Sequence, residues 1–438
     1  MILCLGEGLY KMEDIKLQKF FEISRWEEML EKSFDKGIDM GLLRQLCQPQ
    51  NRLQMLNAIV SDNYRIAPPH IARIPKDNGE FREVYANEPI DRIFLSLYND
   101  VMFEMYGHLI HPCCKSYQKG IGCPQTVKEI SNKICHMTSG CVGYKADLSK
   151  YFDNVRLDVI DKALDDLSTG SPLDKIVREY YHTDLVFDAD GNLIEHYGSL
   201  KQGCAFASFL ANYVLKDIDT VLSKMDILYC RYSDDILMIG KDADRALRTL
   251  EQMLKTKGLV LNPKKVESLS KDKFFTFLGF NILGSNITFS KKSIKNLQKE
   301  IEARTIKANY STEKAIHQVN KYLYEGYIVD DKQFGWAAYF LPTVNVPEDI
   351  NELNIFVMDC IRAVDSGKKK IGGIGENKQL KYKVVCRGTG KNVKANRDKW
   401  KAKYGTDKID GYISIAAMQH ALKMGAPVYE ALLADVMM

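Results

Sequence analysis

Two adjacent carboxylates, Asp234 and Asp235, stand in the stretch Ile227-Leu-Tyr-Cys-Arg-Tyr-Ser-Asp-Asp-Ile-Leu-Met-Ile-Gly240. At ~4 Å and an effective dielectric near 20, two such charges repel by about 4 kcal/mol. A polyvalent cation turns that repulsion into attraction. Mg²⁺ suits the task, because it accepts one or two carboxylates and fills its other positions with water and phosphate oxygens. A third carboxylate, Asp147, closes the strand-like run in Gly143-Tyr-Lys-Ala-Asp-Leu-Ser-Lys-Tyr-Phe-Asp153. If that strand lies beside the hairpin, the three carboxylates converge, and two Mg²⁺ ions ~3.5–4 Å apart could bridge them and a phosphate. The same residues have plainer uses. Ser-Asp-Asp is ordinary turn chemistry, and an Asp after a strand is an ordinary helix N-cap.

The elements that must hold these groups follow from periodicity. Leu228, Cys230 and Tyr232 alternate before the acidic pair and Ile236 to Ile239 run apolar after it, which predicts a tight β-hairpin over 227–240. Residues 12–60 read as helical, with Phe20, Phe21, Ile23, Trp26 and Leu30 and then Leu42, Leu43, Leu46 and Leu53 at three-to-four spacing. Ile71 to Val84 predicts a two-stranded ribbon turning at Asp77-Asn-Gly79, and a second ribbon turns at Asp188-Ala-Asp-Gly191. Helix is expected over 91–109, near 157–167, from Gly203 to about Leu222, and over 242–257. A strand is expected over 141–148 and another over 274–282. An amphipathic helix follows Ser290 as N-cap, and more helix runs to about Ala363. Strands separated by helices and hairpins predict an α+β, palm-like sheet.

The chain has 438 residues, 45% of them hydrophobic, enough for two or three subdomains. Net charge is +4, but residues 366–438 carry 15 Lys/Arg against 6 Asp/Glu. That end suits a polyanion or a solvated surface. The 11 cysteines are scattered without a Cys-x-x-Cys, as expected in a reducing cytosol. His108, His111, Cys113, Cys114 and Cys123 match no standard zinc spacing. Glu7 comes too early for a signal peptide, and the apolar stretch near 204–215 is too short to span a membrane.

The ordered motifs resemble those of reverse transcriptases. Asp147 with Phe152, Gly198-Ser-Leu-Lys-Gln-Gly203, and Tyr232-Ser-Asp-Asp235 resemble motifs A, B and C. Leu261-Asn-Pro-Lys-Lys265 resembles motif D, and Phe277-Leu-Gly-Phe280 motif E. Ile74-Pro-Lys-Asp-Asn-Gly-Glu-Phe-Arg82, Pro89-Ile-Asp-Arg92 and Ser116-Tyr-Gln-Lys-Gly-Ile-Gly122 resemble the fingers segments of bacterial, group II intron-like members. The resemblance runs from about 71 to 282. It implies a right-hand polymerase with an N-terminal helical region (1–66), fingers (67–143), palm (144–284, with a fingers insertion near 155–197), a helical thumb (285–365) and a basic C-terminal extension (366–438).

The resemblance also implies roles. Asp147, Asp234 and Asp235, with the Leu148 carbonyl, would hold two Mg²⁺ ions, Mn²⁺ being a substitute. Lys76 and Arg82 would reach the triphosphate, Phe152 would exclude a ribose 2′-hydroxyl, and Gln202 and Gly203 would approach the templating pair. Lys265 would protonate pyrophosphate, and Phe277, Leu278 and Gly279 would grip the primer. Lys381, Lys383, Arg387, Lys394, Arg397, Lys399, Trp400 and Lys401, with neighbouring aromatics, suit phosphate contact and base stacking on RNA. The implied partners are an RNA template, a DNA product and dNTPs.

Departures from the family pattern narrow the branch. Pro-Gln-Gly is Lys201-Gln-Gly203 here, and a later Ser-Pro is Ser208-Phe209. The retron Val-Thr-Gly element, the paired cysteines of an intron-type endonuclease and an RNase H-like carboxylate set are missing. What remains resembles the unknown-group and abortive-infection lineages, which implies cytoplasmic anti-phage defence on a cognate noncoding RNA. The alternatives are untemplated or protein-primed synthesis, and an RNA-binding maturation or scaffold protein with an idle palm.

Overall fold

The structure, a computed structural model, describes residues 2–5, 8–11, 13–36, 38–75, 79, 81–196, 198–324, 328–329, 332–333, 335–367, 376–377, 384–385 and 392–424. A ribbon of β1 (Ile2–Leu5) and β2 (Gly8–Lys11) leads into α1 (Ile15–Phe20), α2 (Ile23–Lys36), α3 (Met40–Leu46) and α4 (Pro49–Val60). The starts of these helices are written in the sequence. Asp14 caps α1, Asp39 caps α3, and Pro49 opens α4 where no N–H is needed. Phe20, Phe21 and Trp26 then pack ring against ring, and the Trp26 indole N–H donates to the Phe20 carbonyl at 2.8 Å.

Next come β3 (His70–Pro75), β4 (Phe81–Ala86), α5 (Pro89–Tyr106), α6 (Cys123–Cys135), β5 (Val142–Asp147), α7 (Tyr151–Asn154), α8 (Leu157–Leu167), α9 (Pro172–His182), β6 (Leu185–Phe187) and β7 (Leu193–Glu195). The two expected ribbons join into one sheet, ordered β4-β3-β6-β7, with Ile74 opposite Arg82. The chain continues through α10 (Ala207–Tyr213), α11 (Lys216–Leu222), β8 (Ile227–Tyr232), β9 (Asp235–Gly240), α12 (Ala243–Thr256) and β10 (Glu267–Ser270). Strands β10-β5-β9-β8 form a second sheet in that order. Ile236, Leu237 and Met238 of β9 are all buried, so this strand reads as an apolar run because both faces are covered.

The C-terminal half holds β11 (Phe275–Phe277), β12 (Phe280–Leu283), β13 (Asn286–Phe289), α13 (Lys291–Arg304), α14 (Thr312–Tyr324), β14 (Ile328–Val329), β15 (Lys332–Gln333), α15 (Trp336–Phe340), α16 (Pro347–Ser366), β16 (Glu376–Asn377), β17 (Val384–Val385), α17 (Val393–Tyr404) and α18 (Ile415–Lys423). The architecture is α+β, as its residue pattern implies.

The single helix expected from Gly203 to Leu222 is two helices. The chain leaves helical geometry at Leu215, where φ is −102° and ψ is 4°. Asp217 and Asp219 then occupy the first turn of α11, where they favour the new helix N-terminus. The single strand expected over 274–282 is a hairpin. Leu278 (φ 48°) and Gly279 (φ 84°) turn the chain, and Phe277 pairs with Phe280 across it. Two successive positive φ values are the pattern of a type I′ turn, which suits the twist of paired strands.

The chain divides into two compact units that do not follow chain order: residues 1–120, 144–238 and 242–267, and residues 121–143, 239–241 and 268–438. The core of the first includes Trp26, Phe94, Phe206, Phe209 and Met238. In the second, Phe280, Phe289, Trp336, Tyr339 and Phe340 form an aromatic cluster.

Candidate active site

Asp147 is the last residue of β5 and its neighbours fix its backbone on two sides. The Leu148 N–H donates to the Asp234 carbonyl at 3.2 Å, and the Asn262 N–H donates to the Asp147 carbonyl at 2.8 Å. The Ser149 N–H donates to the Val260 carbonyl at 3.0 Å, so the Leu148–Leu261 bridge leaves the Leu148 carbonyl out of its hydrogen bonds. Asp234 sits in the two-residue turn between β8 and β9, and Asp235 opens β9. Ser233 has φ 59°, a left-handed conformation that L residues rarely adopt. A positive φ at the first central residue alone is the pattern of a type II′ turn, usually given to glycine.

The electrostatics tie the three carboxylates into one group. Burial raises the Asp235 pKa to about 6, and the Asp234 and Asp147 charges add to the effect. Burial also raises Asp234, with Asp147 next. Lys265 Nζ donates to Asp147 Oδ2 at 2.7 Å. Burial works to lower the lysine, but that hydrogen bond and the surrounding carboxylates hold its pKa above the ordinary value. A lysine ion pair on one carboxylate and two neighbours reluctant to ionise are what an incompletely neutralised acidic cluster should show.

Among the described residues, no three His, Cys, Asp or Glu side chains enclose a metal position. The donor chemistry nonetheless fits Mg²⁺, which takes oxygen ligands, uses few protein carboxylates and keeps waters and phosphate oxygens. Asp147, Asp234 and Asp235 are the residues that would hold it.

Around them, α7 positions Phe152. Lys150, at φ 43°, turns the chain into that helix, and Tyr151 anchors it by donating its buried hydroxyl to the Ala211 carbonyl at 2.6 Å. The Phe152 carbonyl accepts the Leu200 N–H at 2.9 Å, joining motif A to motif B. In motif B, Gly203 (φ 106°) allows a close approach that is to protein rather than to open space: a Cβ there would meet Val84 Cγ1 at 2.6 Å and the Tyr85 carbonyl at 2.9 Å. The Gln202 carbonyl accepts the Tyr85 N–H at 2.7 Å, so β4 is stitched to motif B.

Lys201 is buried, with φ 50°. Its Nζ donates to the Thr183 carbonyl at 2.8 Å and lies 4.7 Å from the centre of the Tyr180 ring. Burial lowers its pKa to about 8.

Arg82 is exposed on β4, and Lys76 lies outside the described residues. The Tyr117 hydroxyl comes within 3.5 Å of Ser233 Oγ. Burial raises its pKa, the Ser233 hydrogen bond opposes that, and Asp234 and Arg82 act on it with opposite signs. Phe277, Leu278 and Gly279 form the β11–β12 turn in the other compact unit.

The C-terminal residues divide. Lys381, Lys383 and Arg387 lie outside the described residues, while Lys394, Lys399 and Lys401 are exposed. Trp400 is only 4% exposed, and its indole N–H donates to the Lys408 carbonyl at 3.0 Å. Arg397 grips buried Asp359 of α16 through both carboxylate oxygens. Trp400 is therefore a packing residue rather than a stacking platform, and Arg397 is occupied by an ion pair.

Sequence reasoning passed over Arg231, Asp219 and Asn212. Arg231 is fully buried and bonds both Asp219 oxygens at 2.6–3.1 Å. The available signal was a lone arginine in an otherwise apolar strand, whose partner Asp219 lies twelve residues away on α11.

Residues 74–282 match the reverse transcriptase (RNA-dependent DNA polymerase) family model. All three carboxylates, Phe152, motif B and Lys265 fall inside that matched segment. Within the matched segment lies the four-stranded sheet β10-β5-β9-β8 that carries the carboxylates.

No curated protein matches the sequence. Among solved structures, telomerase from Candida albicans in complex with a TWJ fragment of telomeric RNA is 13% identical, with TM-score 0.38, covering 59% of this chain and 53% of that one. Apo telomerase from Candida tropicalis is 13% identical, with TM-score 0.40, covering 58% and 56%. A form of it truncated from the C-terminal domain is 14% identical, with TM-score 0.35, covering 53% and 59%. The chain spans little more than half the length of these telomerases.

Proposed function

We propose that the protein is an RNA-directed DNA polymerase that uses two Mg²⁺ ions and dNTPs. The observation that carries this reading is the convergence of Asp147, at the end of β5, with Asp234 and Asp235, at the turn into the adjacent β9, within the segment that matches the reverse transcriptase model; Asp147 helps to raise both of the others. When bound, the two divalent ions would supply Lewis acidity to the primer 3′-hydroxyl and charge neutralisation to the triphosphate. The rest falls to the chain's own groups. Lys265 keeps its proton and is a donor for the departing pyrophosphate once Asp147 releases it. Arg82, with Lys76, carries the positive charge for the phosphates, Arg through its bidentate fork. Phe152, backed by Tyr151, presents a rigid ring to the sugar. Gln202 and Gly203 set the distance between motif B and β4.

In this reading the fingers span 67–143, the palm 144–284, the thumb 285–365, and the basic extension 366–438 contacts RNA. Phe277, Leu278 and Gly279 hold the primer strand. The Lys201 and Ser208-Phe209 variants support a defence-associated bacterial lineage working on a cognate noncoding RNA. Scattered free cysteines, and the lack among the described residues of any helix long and apolar enough to cross a membrane, fit a cytoplasmic enzyme.

A primer-extension assay tests this reading. The purified chain should incorporate dNTPs on a primed RNA template with Mg²⁺, lose that activity in EDTA, and admit ribonucleotides on Phe152→Ala. Incorporation that ignores the template would favour untemplated or protein-primed synthesis. A properly folded chain that incorporates nothing would favour the scaffold. Sequencing the RNA and DNA that co-purify would identify the template.

A further inference from the structure

Asp234 projects from a turn whose first residue, Ser233, is held at φ 59°. Such a turn does not persist by its own preference in a non-glycine residue, so the surroundings must over-determine it. Two contacts do. The Asp234 carbonyl accepts the Leu148 N–H at 3.2 Å, and the Ser233 carbonyl accepts Arg231 Nη1 at 3.2 Å. These carbonyls belong to the two peptide planes that flank the Asp234 α-carbon, so the direction in which its carboxylate leaves the backbone is fixed from both sides.

The Leu148 contact comes from the strand that carries Asp147. The Arg231 contact comes from behind the hairpin and has its own support. Arg231 Nε lies 2.8 Å and Nη2 2.6 Å from the Asp219 oxygens, and both residues are fully buried. The Tyr229 hydroxyl donates to Asp219 Oδ1 at 2.8 Å. Asn212 Oδ1 receives Arg231 Nη1 at 3.3 Å, together with the Ser116 hydroxyl at 2.9 Å and the Cys114 thiol at 3.1 Å. On the backbone, the Arg231 N–H donates to the Cys113 carbonyl at 3.0 Å, and its own carbonyl accepts the Lys115 N–H at 2.8 Å. The guanidinium is thus locked in orientation and aimed at one carbonyl of the acidic turn. A buried ion pair is weak evidence of a gain in stability, since apolar residues of similar size serve as well. They could not donate to Ser233.

We infer that Arg231, oriented by Asp219 and Asn212, is a positioning residue that holds the strained Ser233–Asp234 turn so that Asp234 meets a divalent ion without reorganising. The inference rests on the metal-dependent polymerase reading of the same turn. Residues that orient metal ligands from behind typically change metal affinity by about 10–100-fold when altered.

The test uses the full chain and Mn²⁺ alone as probe, by titration calorimetry, alongside dNTP incorporation. Asp234→Ala with Asp235→Ala sets the baseline for binding at this site. Arg231→Lys keeps a charge against Asp219 but loses the fork that reaches Ser233. It should bind Mn²⁺ about tenfold more weakly, with kcat lowered by at least that factor and the dNTP KM nearly unchanged. Ser233→Gly relieves the backbone strain, so adding it to Arg231→Lys should restore most of both losses, which a purely structural role would not allow.

If Arg231→Lys does not fold, Asp219→Asn is read in the same way, since it retains an acceptor and loses only the charge. Wild-type Mn²⁺ affinity in these variants, or no rescue by Ser233→Gly, would overturn the inference. Weakened and rescued Mn²⁺ binding in a chain that incorporates no dNTP would uphold it while refuting the polymerase reading.

Discussion

Asp235 has the most informative chemistry of any single residue. Its folded pKa of about 6 lies above the ordinary 3.8, so between those pH values the folded chain holds a proton that the unfolded chain has lost. Stability without metal therefore falls as pH rises from about 4 to about 6, and stays lowered above that. Asp235→Asn removes the cost. In EDTA at pH 7 we expect it to be about 1–3 kcal/mol more stable than wild type by urea unfolding, the gain vanishing near pH 4. A variant that is equally stable at both pH values would contradict the electrostatic account. Protons compete for the same oxygens, so metal affinity should weaken below about pH 6. These carboxylates were legible in the sequence because Asp147 and the ordered motifs around them set the acidic pair apart from an ordinary turn. Arg231 was not, because its partner Asp219 lies on a helix whose approach only the fold reveals. Trp400 misled for a related reason: an aromatic among lysines looks like a stacking surface until its ring is found buried.

Among the elements, motif B shows how a departure from the family pattern acquires a physical reason. Lys201 has φ 50°, whereas proline is locked near −65°, so the family's proline could not occupy this backbone. The lysine compensates by sending its amine to the Thr183 carbonyl and over Tyr180. Lys201→Pro should destabilise the chain by about 3 kcal/mol or more in chemical unfolding. A neutral or stabilising result would mean that the turn has another conformation. Element type was legible wherever a cap or a turn signal stood at the boundary, as at Asp14, Asp39 and Ser290. It was not legible at Leu215, where burial hides a helix break inside an apolar run, or at Leu278-Gly279, where one Gly inside an apolar run reads as uninterrupted strand.

For the whole molecule, charge is the property that sequence reports best and placement the one it reports least. The basic surplus of residues 366–438 is plain in composition. The structure places α17 against α16 through Arg397 and Asp359, and leaves Lys394, Lys399 and Lys401 outward. Deleting the segment would strip an ion pair from buried Asp359, so charge reversal is the cleaner probe. Lys394→Glu, Lys399→Glu and Lys401→Glu together should weaken RNA binding and flatten its salt dependence by about 2 in slope, at about 0.7 per phosphate contact on a single strand. An unchanged slope would remove α17 from the RNA-binding surface.

The central claim is that three carboxylates on the palm sheet catalyse templated DNA synthesis. It is tested most directly by Mg²⁺-dependent dNTP incorporation on a primed RNA template, comparing wild type with Asp234→Ala/Asp235→Ala at matched folded concentration. Incorporation by wild type and its abolition in the variant is the predicted result. Synthesis that survives loss of both aspartates would contradict it.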